Sequence, residues 1–456
     1  MFTTLLALAG VVRLGVVLNR ALDPDESQHL HAAWLVSQGR VPYRDFWEHH
    51  APAFYYLVAP LTRWLAERPA VYLGGRLLMT LAAAVALLLT WRLARRLSVV
   101  TAAGAVTMLA FLPQFVETST ETRPDVPALV TWLAALVAVV RWGETARLRW
   151  LWMAGLALGV TLCLSLKAAY GVVGVGLAVA LRAWLGPWAS APGRLPDRLR
   201  VAARALLSVG GGIAVAAGIL VACIAWLGGW PTVVQMAAQV LGQTWRFVDF
   251  SKTRPVYGSE SGFLLLALAG IGLVLARERA RVLRDPVHPA LLVPLATITA
   301  ALLLPRTPAV YQHAWLPVLP ILAVYAGLAL ARGLDHARAS GRPRAILLAI
   351  VIVLGGLAVP GAESVAYAVR DRLSGSLRLM RAELRAACPD EAVVDGTALA
   401  VFRPSAHRYG VLVTGIREWI ARGAIPEEAI AADVRAARAP VAYADKRLRG
   451  LIGPVA

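Results

Sequence analysis

Residues 23–52 read D-P-D-E-S-Q-H-L-H-A-A-W-L-V-S-Q-G-R-V-P-Y-R-D-F-W-E-H-H-A-P, from Asp23 to Pro52. This stretch carries Asp23, Asp25, Glu26, Asp45 and Glu48, together with four of the eight histidines: His29, His31, His49 and His50. Apolar sequence precedes it from Thr3 to Leu18, and most of the chain after it, up to about residue 362, is apolar as well. A polar island beside a hydrophobic run is costly to keep unless it binds something or does chemistry.

The surrounding composition sets the class. A mean hydropathy of +0.63 and 58% hydrophobic residues over 456 positions belong to a polytopic membrane protein. In a soluble chain the net charge of +19 would point to nucleic acid; here its placement in loops accounts for it, and no nucleic-acid partner is expected. Cys163, Cys223 and Cys388 lie too far apart for a disulfide framework or a metal cluster. Residues 3–18 lack a basic start and run into D-P-D-E rather than a small-residue cleavage site, so they are expected to remain as a first span.

Apolar runs fall near 3–19, 70–91, 99–116, 126–140, 150–166, 168–181, 205–227, 261–276, 289–304, 314–331 and 345–362. They predict about eleven transmembrane helices. The division at Lys167 is the alternative to one long helix with a re-entrant piece over 150–181. With the N-terminus inside, the inner loops carry 19 Lys and Arg against 5 acids, while the outer loops carry 11 of each. That asymmetry follows the positive-inside rule and puts residues 23–52 and the segment after 362 on the outer face. The placement expected is the cell inner membrane, with a periplasmic or extracellular C-terminus. Two domains are expected: a membrane domain over 1–362 and an outer appendage over 363–456. In the latter, helical pattern (Ser376–Ala387, Pro426–Ala437) alternates with strand-like runs (Ala392–Asp395, Pro440–Ala444).

Within the first outer loop, Asp23 can cap a helix, Pro24 suits its first position, and Glu26 completes a capping-box pattern. Leu30, Ala33, Trp34 and Ser37 share one face, and Gly39 stops the helix. Ala53–Leu61 is a second interfacial segment, too short to span before Arg63. The second outer loop, Phe115–Pro127, brings Glu117, Glu121, Arg123 and Asp125 to the same surface.

Each candidate has a plain reading beside the functional one. Asp25 and Glu26 would complement a helix dipole for about 0.3–1 kcal/mol each, yet a helix N-terminus also keeps a carboxylate ionised, as a general base requires. The histidines could join Asp25 and Glu26 around zinc or manganese. However, residues two apart on a helix diverge, so His29 and His31 are no natural ligand pair. No metal ligand set is therefore assigned, although a divalent ion is left open, and His50 beside Ala51-Pro52 is expected to face an anion. Lys167, one of three lysines, is a snorkelling side chain on one reading and a functional intramembrane charge on the other. Arg306, Tyr311 and His313 form either an interfacial belt or part of a site.

Taken together, these motifs resemble the GT-C glycosyltransferases, in the branch of protein O-mannosyltransferases and bacterial lipid A aminoarabinose transferases. Asp25-Glu26 is similar to the Asp-Glu motif after that family's first span. Val41–Tyr56 looks like its next loop, with His49-His50 where a basic residue is usual. Arg123-Pro124-Asp125 resembles its second acidic motif, Gly159–Lys167 its Gly-rich helix ending in lysine, and Tyr311–Pro320 its late Tyr/Pro helix. The resemblance covers roughly 1–335 and does not reach 363–456. It implies an all-α polytopic GT-C-like fold with a small C-terminal α/β appendage. It further implies an enzyme that moves a sugar from a polyprenyl-phosphate donor to a hydroxyl acceptor on a glycan, lipid or protein by inverting displacement at the membrane's outer face. Asp25, Glu26 and Asp125 would then be catalytic, with Asp25 the base. Glu48, His49, His50, Arg123, Lys167, Tyr311 and His313 would bind substrate, and membrane lipids would surround the site. A transporter or flippase of lipid-linked sugars is the alternative; matching halves with broken helices, its usual signature, are not found.

Overall fold

The computed structural model describes residues 2–185, 195–241, 260–277, 285–304, 312–340, 372–411 and 425–443 continuously, with residues 246–247, 282, 306–307, 362, 364–366, 368–370, 416, 419–420 and 423 between them. The main helices are α1 (Phe2–Asn19), α2 (Pro24–Ser37), α3 (Ala53–Trp64), α4 (Ala70–Ala94), α5 (Val99–Phe111), α6 (Pro113–Thr118), α7 (Asp125–Thr145), α8 (Arg149–Leu164), α9 (Ala169–Leu185), α10 (Leu195–Gly228), α11 (Trp230–Leu241), α12 (Ser261–Arg277), α13 (Val287–Leu302), α14 (Leu319–Ala339), α15 (Leu373–Ala386) and α16 (Glu427–Ala437). Strands are short: β1 (Arg246–Phe247) pairs antiparallel with β2 (Arg306–Thr307), and β3 (Val393–Asp395) pairs in parallel with β4 (Val441–Tyr443).

In lipid every backbone polar group must be satisfied within the chain, which makes helices of the apolar runs. Ten of the eleven runs predicted from sequence are helical in the structure, and 345–361 lies outside the described residues. Among the described residues, five helical segments are long and apolar enough to cross a membrane: Phe2–Asn19, Ala70–Ala94, Asp125–Thr145, Leu166–Leu185 and Leu195–Gly228. Val99–Phe111, Arg149–Leu164, Ser261–Ala276 and Val287–Leu302 are shorter apolar helices. The chain is thus a polytopic helical membrane protein.

Its core joins α4, α5, α7, α8, α9, α10, α12, α13 and α14 in one apolar cluster. Close approach depends on glycine where two backbones meet. A Cβ on Gly155 would fall into the Val209 carbonyl, and one on Gly327 into the Thr101 carbonyl. These contacts hold α8 against α10 and α5 against α14.

Three local features shape the end of the bundle where the polar loops gather. Leu112 precedes Pro113 and is extended (φ −68°, ψ 119°), as a residue before proline tends to be, so the run 99–116 breaks into α5 and α6. The run 150–181 divides at Ser165, which is also extended, and a single 3-10 turn over Leu166–Ala168 reverses the chain into α9. The third feature is the capping box that opens α2. Asp25 N donates to Asp23 Oδ1 (2.9 Å) and Asp23 N to Glu26 Oε2 (3.2 Å).

The C-terminal region after residue 372 has the mixed character read from sequence, a small extension of α15, α16 and the β3–β4 pair. It packs on the first loop. Leu30, Trp34, Phe54 and Tyr72 share an apolar cluster with Met380, Val401 and Phe402. His31 Nδ1 lies 3.0 Å from Val401 O, and Arg403 Nη1 bonds Glu67 at 2.8 Å.

Candidate active site

Arg123 stands just before α7 and gathers the polar loops. Its Nη2 donates to Asp25 Oδ2 (2.7 Å), its Nη1 to Glu121 Oε2 (2.6 Å), and its Nε is 3.7 Å from Asp125 Oδ2. The same Nη2 lies 3.2 Å from His313 Nδ1. Because a guanidinium can only donate, that nitrogen accepts, and the His313 proton sits on Nε2. Burial first, then Lys167 and Arg123, holds His313 well below the usual imidazole range, so it meets a ligand as a neutral donor.

Asp25 is the first acid on α2 and keeps 32% of its side-chain surface open. Burial is the largest single effect and works against its charge, but Arg123 together with His29, His313 and His50 outweighs it and holds the carboxyl below the ordinary carboxylate range. Asp23 shifts the other way, to about 6, through burial and the repulsion of Glu121 and Asp25. Asp125 begins α7, with 9% of its side chain exposed. Its Oδ1 lies 3.4 Å from Lys167 Nζ and accepts from Ser165 Oγ at 3.3 Å. The 3-10 turn after α8 is what aims Lys167 at this carboxylate. Asp125, Lys167 and His313 line one small pocket of about 30 Å3 together with the apolar Leu129, Trp132, Ile298 and Leu302.

Glu26, expected beside Asp25 as a reacting group, has no open edge. It is fully buried, and Arg76 of α4 grips it with Nη2–Oε2 at 2.7 Å and Nε–Oε1 at 2.9 Å. Thr122 N also donates to Oε1 (3.2 Å), which ties the second loop to the first. Glu26 thus ties the two outer loops to α4, with both of its oxygens engaged. Sequence reasoning missed Arg76. A lone arginine within the apolar run 70–91 was the signal, since an intramembrane cation needs a partner.

The later half of the first loop forms a separate knot. Glu48 Oε1 accepts from His49 N (2.8 Å) and His50 N (3.1 Å), and lies 2.8 Å from His50 Nδ1. Burial opposes its charge, but the bonds with His49 and His50 hold its pKa well below the usual glutamate value. The His50 ring meets the edge of His29, with centroids 4.8 Å apart. His29 is buried near Tyr55 Oη (3.4 Å), and burial keeps it neutral. Thus Asp25, Asp125, Arg123, Lys167 and His313 converge, whereas Glu48, His49 and His50 form their own cluster, linked through His29. Tyr311 lies outside the described residues.

The knot fits a divalent cation. One ligand atom each from Glu48, His49 and His50 lie within 4.8 Å of one another, and a carboxylate with two imidazoles is a donor set for zinc or manganese. His31, by contrast, turns away to Val401, in keeping with the divergence expected of H-x-H on a helix.

The family model described as dolichyl-phosphate-mannose-protein mannosyltransferase matches residues 49–190. No curated protein matches the chain. Among solved structures the chain is similar to ArnT from Cupriavidus metallidurans in the apo state (15% identity, 88% of this chain and 84% of that one, TM-score 0.61). It is also similar to the same protein bound to undecaprenyl phosphate (15% identity, 88% and 85%, TM-score 0.57). A third likeness is to the Archaeoglobus fulgidus oligosaccharyltransferase complexed with Zn and sulfate (14% identity, 95% and 67%, TM-score 0.58). The GT-C-like architecture expected from sequence is the fold of this chain.

Proposed function

We propose that this chain is a GT-C-type glycosyltransferase that moves a sugar from a polyprenyl-phosphate donor to a hydroxyl acceptor by inverting displacement. The observation that carries the proposal is the shared arginine. Two carboxylates, Asp25 and Asp125, are held on Arg123 where apolar side chains meet Lys167 and His313. A lipid phosphate needs apolar surface for its chain and donors for its head, and an attacking hydroxyl needs a carboxylate; few other reactions want all three together.

In this reading the acceptor oxygen attacks the sugar's anomeric carbon while the bond to the lipid phosphate breaks. Asp25 takes the acceptor's proton. Paired with Arg123, it is a weak base before attack, and it becomes effective as the new C–O bond makes the hydroxyl acidic. Asp125 orients the acceptor. Lys167 Nζ, at 3.4 Å from Asp125, has further protons to donate to the leaving phosphate, and His313 Nε2–H is placed to add one more, where charge-assisted bonds count most. Glu48, His49 and His50 would hold a divalent cation if one binds, and it would supply Lewis-acid neutralisation of phosphate charge.

The finer topology belongs to the same proposal: eleven crossings, residues 1–362 as the membrane domain, and 363–456 as a domain outside the cell inner membrane, at the periplasmic or exterior face. Loop charge supports it. The like architecture of a protein seen with undecaprenyl phosphate supports the donor class. The test is transfer of labelled sugar from extracted polyprenyl-phosphate donors by the purified protein in lipid nanodiscs. Product that depends on Asp25 supports the proposal. Movement of intact lipid-linked sugar across vesicles without product would favour a flippase.

A further inference from the structure

A separate cavity, of about 420 Å3, lies between the first loop and the C-terminal region, with Gln28 and Glu48 in its wall. That volume is in the range of small-molecule sites, roughly 300–1,000 Å3. Its walls carry buried polar atoms with no hydrogen-bond partner among the described residues: Gln28 Oε1, His31 Nε2, Ser405 Oγ and both ring nitrogens of His407. The side chains of Gln28, His31 and His407 are 4–5% exposed. Native structures seldom leave so many buried groups unpaired without a ligand to meet them.

The chemistry of the lining narrows the ligand. Burial holds the His407 ring down at about 4, and lowers His31 as well, so both imidazoles are neutral near pH 7. The charged residues at the wall are Arg40 and Arg408 against Asp45, Glu48 and Asp433, an excess of one carboxylate. Neutral donors and acceptors beside that excess suit hydroxyl groups, which both give and take hydrogen bonds, and do not suit an anion. Trp47 and Tyr409 add aromatic surface, their rings 6.2 Å apart, and the negative faces of such rings favour the slightly positive C–H edges of a sugar. Two contacts tie the cavity wall to the cluster of Glu48, His49 and His50. Gln28 Nε2 reaches Glu48 Oε1 at 3.4 Å, and Glu48 holds His50.

We propose that this cavity binds the neutral carbohydrate part of the acceptor, so that the acceptor is a glycan; the acceptor role rests on the transferase reading above. The ligand enters between two regions of the chain, which gives the C-terminal region a function of its own.

The experiment is saturation-transfer NMR on the full chain in lipid nanodiscs, with neutral trisaccharides of mannose, glucose, galactose and N-acetylglucosamine as probes. At least one should bind. Its affinity should fall about tenfold or more in His407→Leu and several-fold in Ser405→Ala, a change too small to endanger folding. Undecaprenyl phosphate binding, measured on the same samples, should stay at the wild-type value in both variants. Absence of binding by all four sugars, wild-type sugar affinity in both variants, or displacement of the sugar by inorganic phosphate or an acidic peptide would each overturn the proposal. If sugar binds as expected but undecaprenyl phosphate does not bind the wild type, the carbohydrate site survives and the transferase reading fails.

Discussion

Asp25 and Glu26 are neighbours in sequence, share one helix N-terminus and each pair with an arginine, yet their situations are opposite. Glu26 is closed: it has no exposed surface, and Arg76 takes both its oxygens. Asp25 is open, with 32% of its side chain exposed and one oxygen on an arginine that also serves Glu121 and Asp125. The helix makes the difference. Successive positions point about 100° apart, so Glu26 turns back to cap the helix and face α4, while Asp25 faces the second outer loop. A carboxylate with a private cation holds structure, and one sharing its cation with other groups retains room for a substrate. The Asp-Glu pair thus joins a closed carboxylate to an open one.

The largest effect should come from breaking the closed pair. Arg76→Met leaves Glu26 buried without a cation, at a cost of about 3–5 kcal/mol. The expected outcome is loss of folded protein, read as a collapse of the thermal transition in detergent. Glu26→Gln combined with Arg76→Met should recover part of it. If Arg76→Met accumulates and melts like the wild type, Glu26 is no anchor.

Asp25→Asn tests the open pair. The amide keeps the shape and can still face Arg123, so the protein should fold and melt within a few degrees of the wild type. Sugar transfer should fall by about 10²–10⁴-fold, the usual weight of a general base. Near-normal turnover in Asp25→Asn with loss in Asp125→Asn would move the base to Asp125.

Lys167→Met comes next. Removing a donor from a partly desolvated phosphate contact costs on the order of 2–5 kcal/mol, so undecaprenyl phosphate affinity should fall at least tenfold while folding survives. Lys167→Arg should restore only part, because a planar fork does not reproduce a compact ammonium. Wild-type affinity in Lys167→Met would return Lys167 to a snorkelling role.

The local devices around the two pairs were legible in the sequence and the long-range pairings were not. D-P-D-E announces a helix start, and the capping box it predicts is present. Lys167 at the end of an apolar run announced a turn, and the turn is there. Both signals are local. The pairings, by contrast, span 98 residues from Asp25 to Arg123 and 50 from Glu26 to Arg76 on α4, and no local pattern encodes pairings of that range. The cation itself was visible as a lone charge in an apolar stretch, and the rule that flagged Lys167 would have flagged Arg76. The packing of the C-terminal region on α2 was hidden for the same reason: His31 meets Val401 across 370 positions.

Glu383 completes the comparison, as a buried carboxylate with no cation paired to it among the described residues. It lies on α15 with 5% of its surface exposed, and neither oxygen has a hydrogen-bond partner among the described residues. Burial, reinforced by Asp395, raises its pKa to about 8. The folded chain therefore holds this proton across a window where an unfolded glutamate, titrating near 4.3, has already released it. Stability from this group is fully present below the unfolded pKa, and it declines as pH rises from there toward about 8. The measurement is the thermal midpoint between pH 5 and pH 8.5. Wild type should lose several degrees across that range relative to Glu383→Gln, whose amide mimics the protonated acid and cannot ionise. The effect is the smallest of the four because it removes no partner. Parallel curves for the two proteins would mean that Glu383 is ionised and paired, and that a buried carboxylate in this chain always keeps a cation.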